Sequence, residues 1–239
     1  MTGLLYQTDS YIREFEATIV SVYSETRTIV LTVSAFYPGG GGQPCDFGTL
    51  ETAEHSYPME KVKKQGDQVF HVLGGIQPLP VVDSAVKGML DWDRRYKLMR
   101  THTALHILCG TVFRDYGAQV TCGDMDPLKG RMDFEFETMR AELVRDIETA
   151  VNREVQLNRE VRVQILPREA AFQIPDLIRT KINLLPEGIA QVRTVEIVGL
   201  DLQADGGTHI ANTSEVGRIR IVDYKSKGVI NKRIYIEIE

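Results

Sequence analysis

The sequence predicts an α+β protein in which a small N-terminal β-barrel domain, residues 1–90, precedes a domain with helices packed on a mainly antiparallel sheet, residues 91–239. Three observations lead to this prediction. Short β-branched runs separated by turn residues fill the first third of the chain. A long helical pattern begins at Asp91. Helical and alternating segments then follow one another in an order typical of an α+β domain.

The predicted barrel depends on the strands of the first third. Phe15–Tyr23 and Thr28–Phe36 are β-branched runs joined by SETR, a connection that suits a hairpin. The glycine-rich stretch YPGGGGQPCDFG follows and cannot form a regular element. Strand-like pieces continue in GDQVFHVLGG and VVDSAVKGML. Short, regularly spaced strands of this kind indicate a small barrel or sandwich.

The second domain is predicted to begin with a helix from Asp91 to Tyr116, because no proline interrupts it and Gly117 stands where a C-terminal cap is expected. A second helix is predicted from about Thr138, as N-cap, to Asn158. Strands are predicted for the alternating segments, and a short helix for PREAAFQI. The alternating segments are GRMDFEF, VRVQIL, VRTVEIV, VGRIRIVDY and KRIYIEI.

Composition narrows the classes of protein that need consideration. The chain has 239 residues and a net charge of −5, so a polyanionic partner would have to bind a local basic surface. Cys45, Cys109 and Cys122 are widely spaced, which disfavours a disulfide scaffold or a zinc ribbon and favours a reducing compartment. No apolar stretch approaches the ~20 residues that span a bilayer. We therefore expect a cytoplasmic protein.

A pair of histidines marks the first candidate site. His102 and His106 stand four residues apart in RTHTALHIL on the predicted long helix. Residues at this spacing share a helix face with Cβ atoms about 5–6 Å apart, so two imidazoles could converge on one metal ion. Two histidines do not make a metal site by themselves, and a pair of partly buried histidines is the alternative.

A metal site would need a third ligand. Cys109 lies seven residues beyond His102, about 10 Å along the helix axis, and is predicted to be a core residue. His209, in DLQADGGTHI, is the better candidate, and Cys122 is a weaker one. The remaining histidines, His55 and His71, fall within the first domain.

Several motifs occur together in this chain: THTALHIL, GRMDFEF, IPDLIRT and VGLDLQADGGTHIANTSEVGRIRIVDYKSKGVINKRIYIEI follow one another, and FYPGGGGQPCDFG precedes them. The combination resembles the editing domain of alanyl-tRNA synthetases and the free-standing alanyl-tRNA editing proteins called AlaX. The glycine-rich FYPGGGGQPCDFG and its place ahead of the helix resemble the longer AlaX forms, which carry a synthetase-like β domain before the editing domain. The resemblance covers nearly the whole chain, and it implies that residues 91–239 form a zinc-binding aminoacyl-tRNA editing domain.

The resemblance also implies a set of zinc ligands. In the family, the two histidines of HxxxH bind zinc together with the histidine and cysteine of CGGTH, which implies His102, His106 and His209 here. Asp205 stands where the family motif has cysteine. Its carboxylate could replace the thiolate as a ligand, or the aspartate could only shape the turn before Gly206.

The implied activity is hydrolysis of the ester that joins serine or glycine to the 3′ end of the tRNA for alanine. The zinc ion would either polarise a water molecule or hold the substrate's amino group. Thr103 and Thr208, each beside an implied ligand, could contact the substrate, although Thr103 could instead pack the helix. Two alternative functions remain open: a tRNA-binding module that has lost hydrolysis, and a zinc hydrolase that acts on another aminoacyl ester.

The expected partner is the tRNA for alanine, mischarged, and two segments could bind it. Gly40, Gly41 and Gln43 lie in the glycine-rich loop, which could support tRNA binding or form a plain turn. Lys227 and Lys232 belong to a basic cluster near the C-terminal end, which could contact phosphates or be an ordinary solvated surface.

Overall fold

Six strands of the N-terminal part close into a barrel in the computed structural model, which describes residues 1–178 and 188–239. Around the barrel the order is β2, β3, β7, β6, β5 and β8, each antiparallel to the next, and the short strands β1 and β4 pair in parallel. The strands of this part are β1 Gly3–Leu4, β2 Glu14–Tyr23, β3 Thr28–Leu31, β4 Val33–Ser34, β5 Gly48–Glu51, β6 Ser56–Gln65, β7 Gln68–Leu73 and β8 Ala85–Leu90. The predicted N-terminal barrel is confirmed.

Apolar side chains from all six barrel strands fill the interior, as a small barrel requires. Phe15 and Phe36 meet edge to face there, with ring centroids 5.5 Å apart. A Cβ at Gly88 would lie 2.3 Å from the Phe15 ring, so only glycine fits at this position of β8.

A buried ion pair fixes the segments that flank the glycine-rich loop. Both carboxylate oxygens of Asp46 accept hydrogen bonds from the Arg95 guanidinium, which also donates to the carbonyls of Ser10 and Ala35. The same carboxylate accepts the Tyr37 N–H at 2.6 Å. Asp46, which follows the loop, binds the backbone of Tyr37, which precedes it, and Arg95 binds the carbonyl of Ala35 on the same side. The loop therefore has a fixed base.

Within the loop, the chain reverses direction between Gly40 and Gln43, whose backbone groups exchange hydrogen bonds at 3.0 and 2.9 Å. The four glycines at 39–42 all have positive φ, which is why glycine is needed throughout the turn. Gln43 is buried, whereas Gly41 is open to the surroundings. The proposed contact of Gly40, Gly41 and Gln43 with tRNA stays a prediction.

Residue contacts divide the chain into two units, Met1–Tyr96 and Lys97–Glu239. The predicted domains, 1–90 and 91–239, stay a prediction, because contacts in a folded structure do not show which segments fold independently. The elements after the barrel are α1 Trp92–Tyr116, β9 Val120–Asp126, β10 Lys129–Glu135, α2 Ala141–Gln156, β11 Val161–Pro167, α3 Arg168–Ala171, β12 Gln191–Ile197, β13 Asp201–Ala204, β14 Ile219–Ser226 and β15 Asn231–Ile238.

Two antiparallel sheets support the helices of the second unit, in the strand orders β14-β15-β10-β9 and β11-β12-β13. The predicted α+β class with antiparallel strands is therefore confirmed. None of the helices within residues 1–178 and 188–239 is long and apolar enough to cross a membrane. The cytoplasmic location stays a prediction.

The predicted C-terminal end of α1 is observed, whereas the predicted N-cap of α2 is not. Helix α1 ends as expected, since Gly117 has φ +66° and its N–H binds the Phe113 carbonyl at 2.9 Å. The prediction that Thr138 caps α2 is wrong, because Arg140 occupies the N-cap position without a side-chain cap. The buried stripe of α2 starts only at Val144, so the helix needs no earlier turn to cover the core.

Barrel stability should depend on pH through His71, a fully buried residue of β7 whose Nε2 lies 2.8 Å from the Ser34 hydroxyl. Burial lowers the pKa of His71 to about 4. The unfolded chain, with an ordinary pKa near 6.5, therefore binds the proton more readily than the folded one below about pH 6.5. The free energy of unfolding should fall by about 3 kcal/mol through this residue between pH 6.5 and 4.

Urea unfolding of the wild type and of His71→Gln can measure this effect. Fluorescence of Trp92, the single tryptophan, follows the N-terminal unit because its ring packs against Tyr11 and Tyr96. The stability advantage of the wild type over the variant should shrink as the pH falls. A constant difference from pH 7 to 4 would contradict the prediction.

Candidate metal centre

Four side chains of the second unit converge on one point. His102, His106, Asp205 and His209 each offer one ligand atom, and these atoms all lie within 4.8 Å of one another. Nε2 of His209 is 2.9 Å from Asp205 Oδ2, and Nε2 of His102 is 3.6 Å from Asp205 Oδ1. All three imidazoles are buried. The cluster could hold a metal ion.

Helix α1 supplies two of the four groups. His102 and His106 lie one turn apart, with ring centroids separated by 5.1 Å, as the spacing of four residues predicts. The His209 ring lies 4.2 Å from the His102 ring and 4.7 Å from the His106 ring. The three histidines that the sequence places far apart therefore share one buried cluster.

The segment after β13 supplies the other two groups, and a tight turn positions them. Asp205 Oδ2 accepts the Gly207 N–H at 2.8 Å, the hydrogen bond of an Asx turn. The Asp205 N–H binds the Arg193 carbonyl at 3.1 Å, and the Arg193 guanidinium donates to the Asp205 carbonyl at 2.9 Å. Asp205 thus forms the turn and also points its carboxylate at the histidines, so its two possible roles are compatible.

The electrostatics of the cluster favour a cation. Burial would raise the pKa of Asp205, but the neighbouring His102 and His209 outweigh it and hold that pKa well below its ordinary value. Burial lowers the pKa of His102 well below its ordinary value and that of His209 to about 4. At neutral pH the cluster therefore offers an ionised carboxylate, and His102 and His209 bind protons only weakly, as metal ligands must.

The donor set fits zinc in particular. Zinc takes histidine nitrogen and carboxylate oxygen at about 2.0–2.2 Å, so tetrahedral ligands lie about 3.3 Å apart. The observed Nε2–carboxylate distances of 2.9 and 3.6 Å lie on either side of that separation. The four residues therefore have the donor atoms and the spacing to surround such an ion.

A further carboxylate touches the cluster from outside. Asp201 Oδ2 lies 3.1 Å from Nδ1 of His106. Burial would lower the pKa of His106, but the hydrogen bond to Asp201 outweighs burial and raises it. Asp201 and its neighbour Gln203 were not among the residues predicted from the sequence. Their two-residue spacing ahead of Asp205 in DLQAD is the signal that could have found them.

The structure places the remaining site candidates as follows. Thr103 and Thr208 are fully buried, and the Thr103 hydroxyl lies 3.1 Å from Nδ1 of His209. Their contact with substrate stays a prediction. Cys109 is a buried residue that accepts a hydrogen bond from Gln203, and exposed Cys122 lies outside the four-residue cluster.

The two lysines predicted to bind tRNA differ in exposure. Lys227 is exposed, whereas Lys232 is buried and donates from Nζ to the carbonyls of Gly228 and Val229, at 2.8 and 2.7 Å. Lys232 therefore stabilises the turn that carries Lys227. Phosphate contact by either lysine stays a prediction. The last two residues of the IPDLIRT motif, 179 and 180, lie outside the described residues.

Comparison with known proteins identifies relatives along the whole chain. Residues 192–235 match the family described as the threonyl and alanyl tRNA synthetase second additional domain. The chain is 36% identical to the alanyl-tRNA editing protein AlaX-M of Saccharolobus solfataricus, over all of both chains. It is also 36% identical to AlaX-M of Methanosarcina acetivorans, over all of this chain and 99% of that one. An alanine–tRNA ligase from Ignicoccus hospitalis is 35% identical over 92% of this chain and 24% of the ligase.

The geometry predicts that the chain binds one divalent ion. In a calorimetric titration with zinc, the wild type should bind one ion per chain, and His209→Ala should bind at least about tenfold more weakly because a ligand is lost. His55→Ala, which removes a histidine of the barrel unit, is the matched control and should bind like the wild type. Equal affinity of His209→Ala and His55→Ala would show that the cluster is not the metal site.

Proposed function

This chain belongs to the alanyl-tRNA editing proteins of the AlaX-M type, and we propose that it hydrolyses the ester linking a wrong amino acid, serine or glycine, to the tRNA for alanine. One observation carries the proposal. A buried cluster of three imidazoles and one carboxylate, built from both halves of the second unit, lies in a chain that aligns from end to end with editing proteins.

The proposal assigns a zinc ion to the cluster. His102, His106 and His209 would hold it through their Nε2 atoms, and Asp205 would complete the set and compensate its charge. Bound zinc supplies a Lewis acid for ester hydrolysis. The three histidines are buried, so they exclude bulk water from their side of the site, and the lowered pKa values of His102 and His209 keep these two ligands free of protons.

The choice of substrate follows from the limits of molecular discrimination. A synthetase pocket sized for alanine cannot strongly exclude glycine, and a small apolar pocket rejects an added hydroxyl group poorly. A second, hydrolytic site supplies the missing discrimination. Serine and glycine are therefore the amino acids we expect this site to remove.

Deacylation assays test the activity directly. Purified protein should release serine or glycine from tRNA for alanine while leaving correctly charged alanyl-tRNA nearly intact. His102→Ala should lose activity by at least about a hundredfold, the scale expected when one catalytic group is removed.

His55→Ala is the matched control for that assay and should retain wild-type activity. If the wild type releases neither amino acid faster than His102→Ala, the chain is not a deacylase of these substrates. Tight tRNA binding in that case would indicate a binding module.

Asp205→Asn tests the fourth ligand. Asparagine is nearly isosteric and can still accept the Gly207 N–H, so the turn should persist while the negative charge is lost. If Asp205 binds the ion, zinc affinity should fall by at least about tenfold, or 1.4 kcal/mol. Unchanged zinc content after dialysis against a chelator would instead show that the three histidines suffice.

Lys227 tests the tRNA surface. Because this side chain is exposed on a turn held by Lys232, Lys227→Ala should weaken tRNA binding and lower the slope of log affinity against log salt by about one. Lys129→Ala, which removes an exposed lysine paired with Glu237, is the control. Identical salt series for both variants would argue against phosphate contact by Lys227.

A further inference from the structure

We propose that Asp201, supported by Gln203, is a positioning residue that fixes the ring and tautomer of His106, and that Thr103 holds the ring of His209 in the same way. The inference rests on the proposed metal-dependent function and deepens it. It concerns residues that touch the ligands and not the metal or the substrate.

The contact between Asp201 and His106 carries the main argument. The Asp201 side chain is 0% exposed, and its Oδ2 lies 3.1 Å from Nδ1 of His106. An ionised carboxylate can only accept hydrogen bonds, so it selects the imidazole that carries a proton on Nδ1. Nε2 of His106 is then the free nitrogen, and it is the atom that a metal ion needs.

Gln203 fixes the carboxylate in turn. Its side-chain amide donates to Asp201 Oδ2 at 2.6 Å and to the Cys109 sulfur at 3.3 Å. Asp201 and Gln203 stand two residues apart on β13, so their side chains emerge from the same face of the strand. The strand therefore presents a prearranged acceptor to His106.

A glycine on α1 permits this approach. A Cβ at Gly110 would lie 2.9 Å from the Cβ of Asp201, closer than real Cβ atoms come, and a tight 3.1 Å from the Leu200 carbonyl oxygen. Gly110 follows His106 by one helical turn, so it lies beside that histidine on the helix. The missing side chain lets the start of β13 come close enough for Asp201 to reach Nδ1.

Thr103 gives His209 an equivalent support. Its hydroxyl is fully buried and lies 3.1 Å from Nδ1 of His209, which directs Nε2 toward Asp205 at 2.9 Å. A hydroxyl can donate or accept, so it orients the ring without imposing one tautomer as strongly as a carboxylate does. This role does not require Thr103 to touch the substrate.

Two measurements on the intact protein test the proposal. Zinc affinity is determined by competition with a chelator, and the protonated nitrogen of each imidazole is identified by long-range proton–nitrogen NMR. Asp201→Asn and Asp201→Ala should bind zinc about 10–100-fold more weakly, the usual cost of losing a partner that orients a ligand. Their His106 signals should also lose the Nδ1-protonated pattern of the wild type.

Asp133→Asn is the matched control, because Asp133 is an equally buried carboxylate of the same unit that pairs with Arg233 outside the cluster. It should keep wild-type zinc affinity and the wild-type His106 tautomer. Thr103→Val should weaken zinc binding, and Thr103→Ser, which restores the hydroxyl, should recover it. If the Asp201 variants fail to fold, Gln203→Met is measured in their place, and it should also weaken zinc binding.

Zinc affinity within about twofold of the wild type in both Asp201 variants, with an unchanged His106 tautomer, would overturn the proposal. Deacylation is measured separately. A wild type that hydrolyses its substrate while Asp201 variants bind zinc normally would refute the positioning role alone. A wild type whose zinc binding depends on Asp201 but that hydrolyses nothing would refute the proposed function alone.

Discussion

The burial of one carboxylate among three imidazoles is the constraint that organises the second unit. Asp205 loses most of its water, a loss that costs several kcal/mol for an unpaired ion. The surrounding groups offset that cost: the Gly207 N–H binds Oδ2, His209 lies 2.9 Å away and the Arg193 guanidinium lies 3.7 Å away. Gly207 and His209 belong to the GGTH segment and Arg193 to β12, so both segments must be in place before the carboxylate is stable.

The same constraint explains why so short a strand matters for function. Asp201 and Gln203 on β13 support His106, and Asp205, the first residue after the strand, is the partner of His102 and His209. A bound divalent ion would compensate the negative charge of Asp205 at this point. Stability without the ion and affinity for it therefore depend on the same few hydrogen bonds.

Several features could be predicted because they depend on neighbouring residues only. The spacing of His102 and His106 on a continuous helix fixes their common face, and Gly117 marks the helix end. Strand β6 was not predicted from the sequence because its buried residues do not alternate regularly. A bulge between Met59 and Lys61 shifts the register, so that the buried residues are 57, 59 and then 62. The segment Thr28–Phe36 was predicted as one strand but divides at Thr32, since β4 leaves the barrel to pair with β1.

The sequence by itself determined the α+β class, the barrel, the helix that carries two histidines and, through its motifs, the family and the third histidine. Only the tertiary structure decided that Asp205 closes a turn and faces His209 at once, that Lys232 binds the turn of its own hairpin, and that Asp201 reaches His106 beside Gly110. Periodicity and turn chemistry are local and can be predicted along the chain. Pairings across 95 residues, as between His106 and Asp201, depend on which faces pack together, and no single segment encodes that choice.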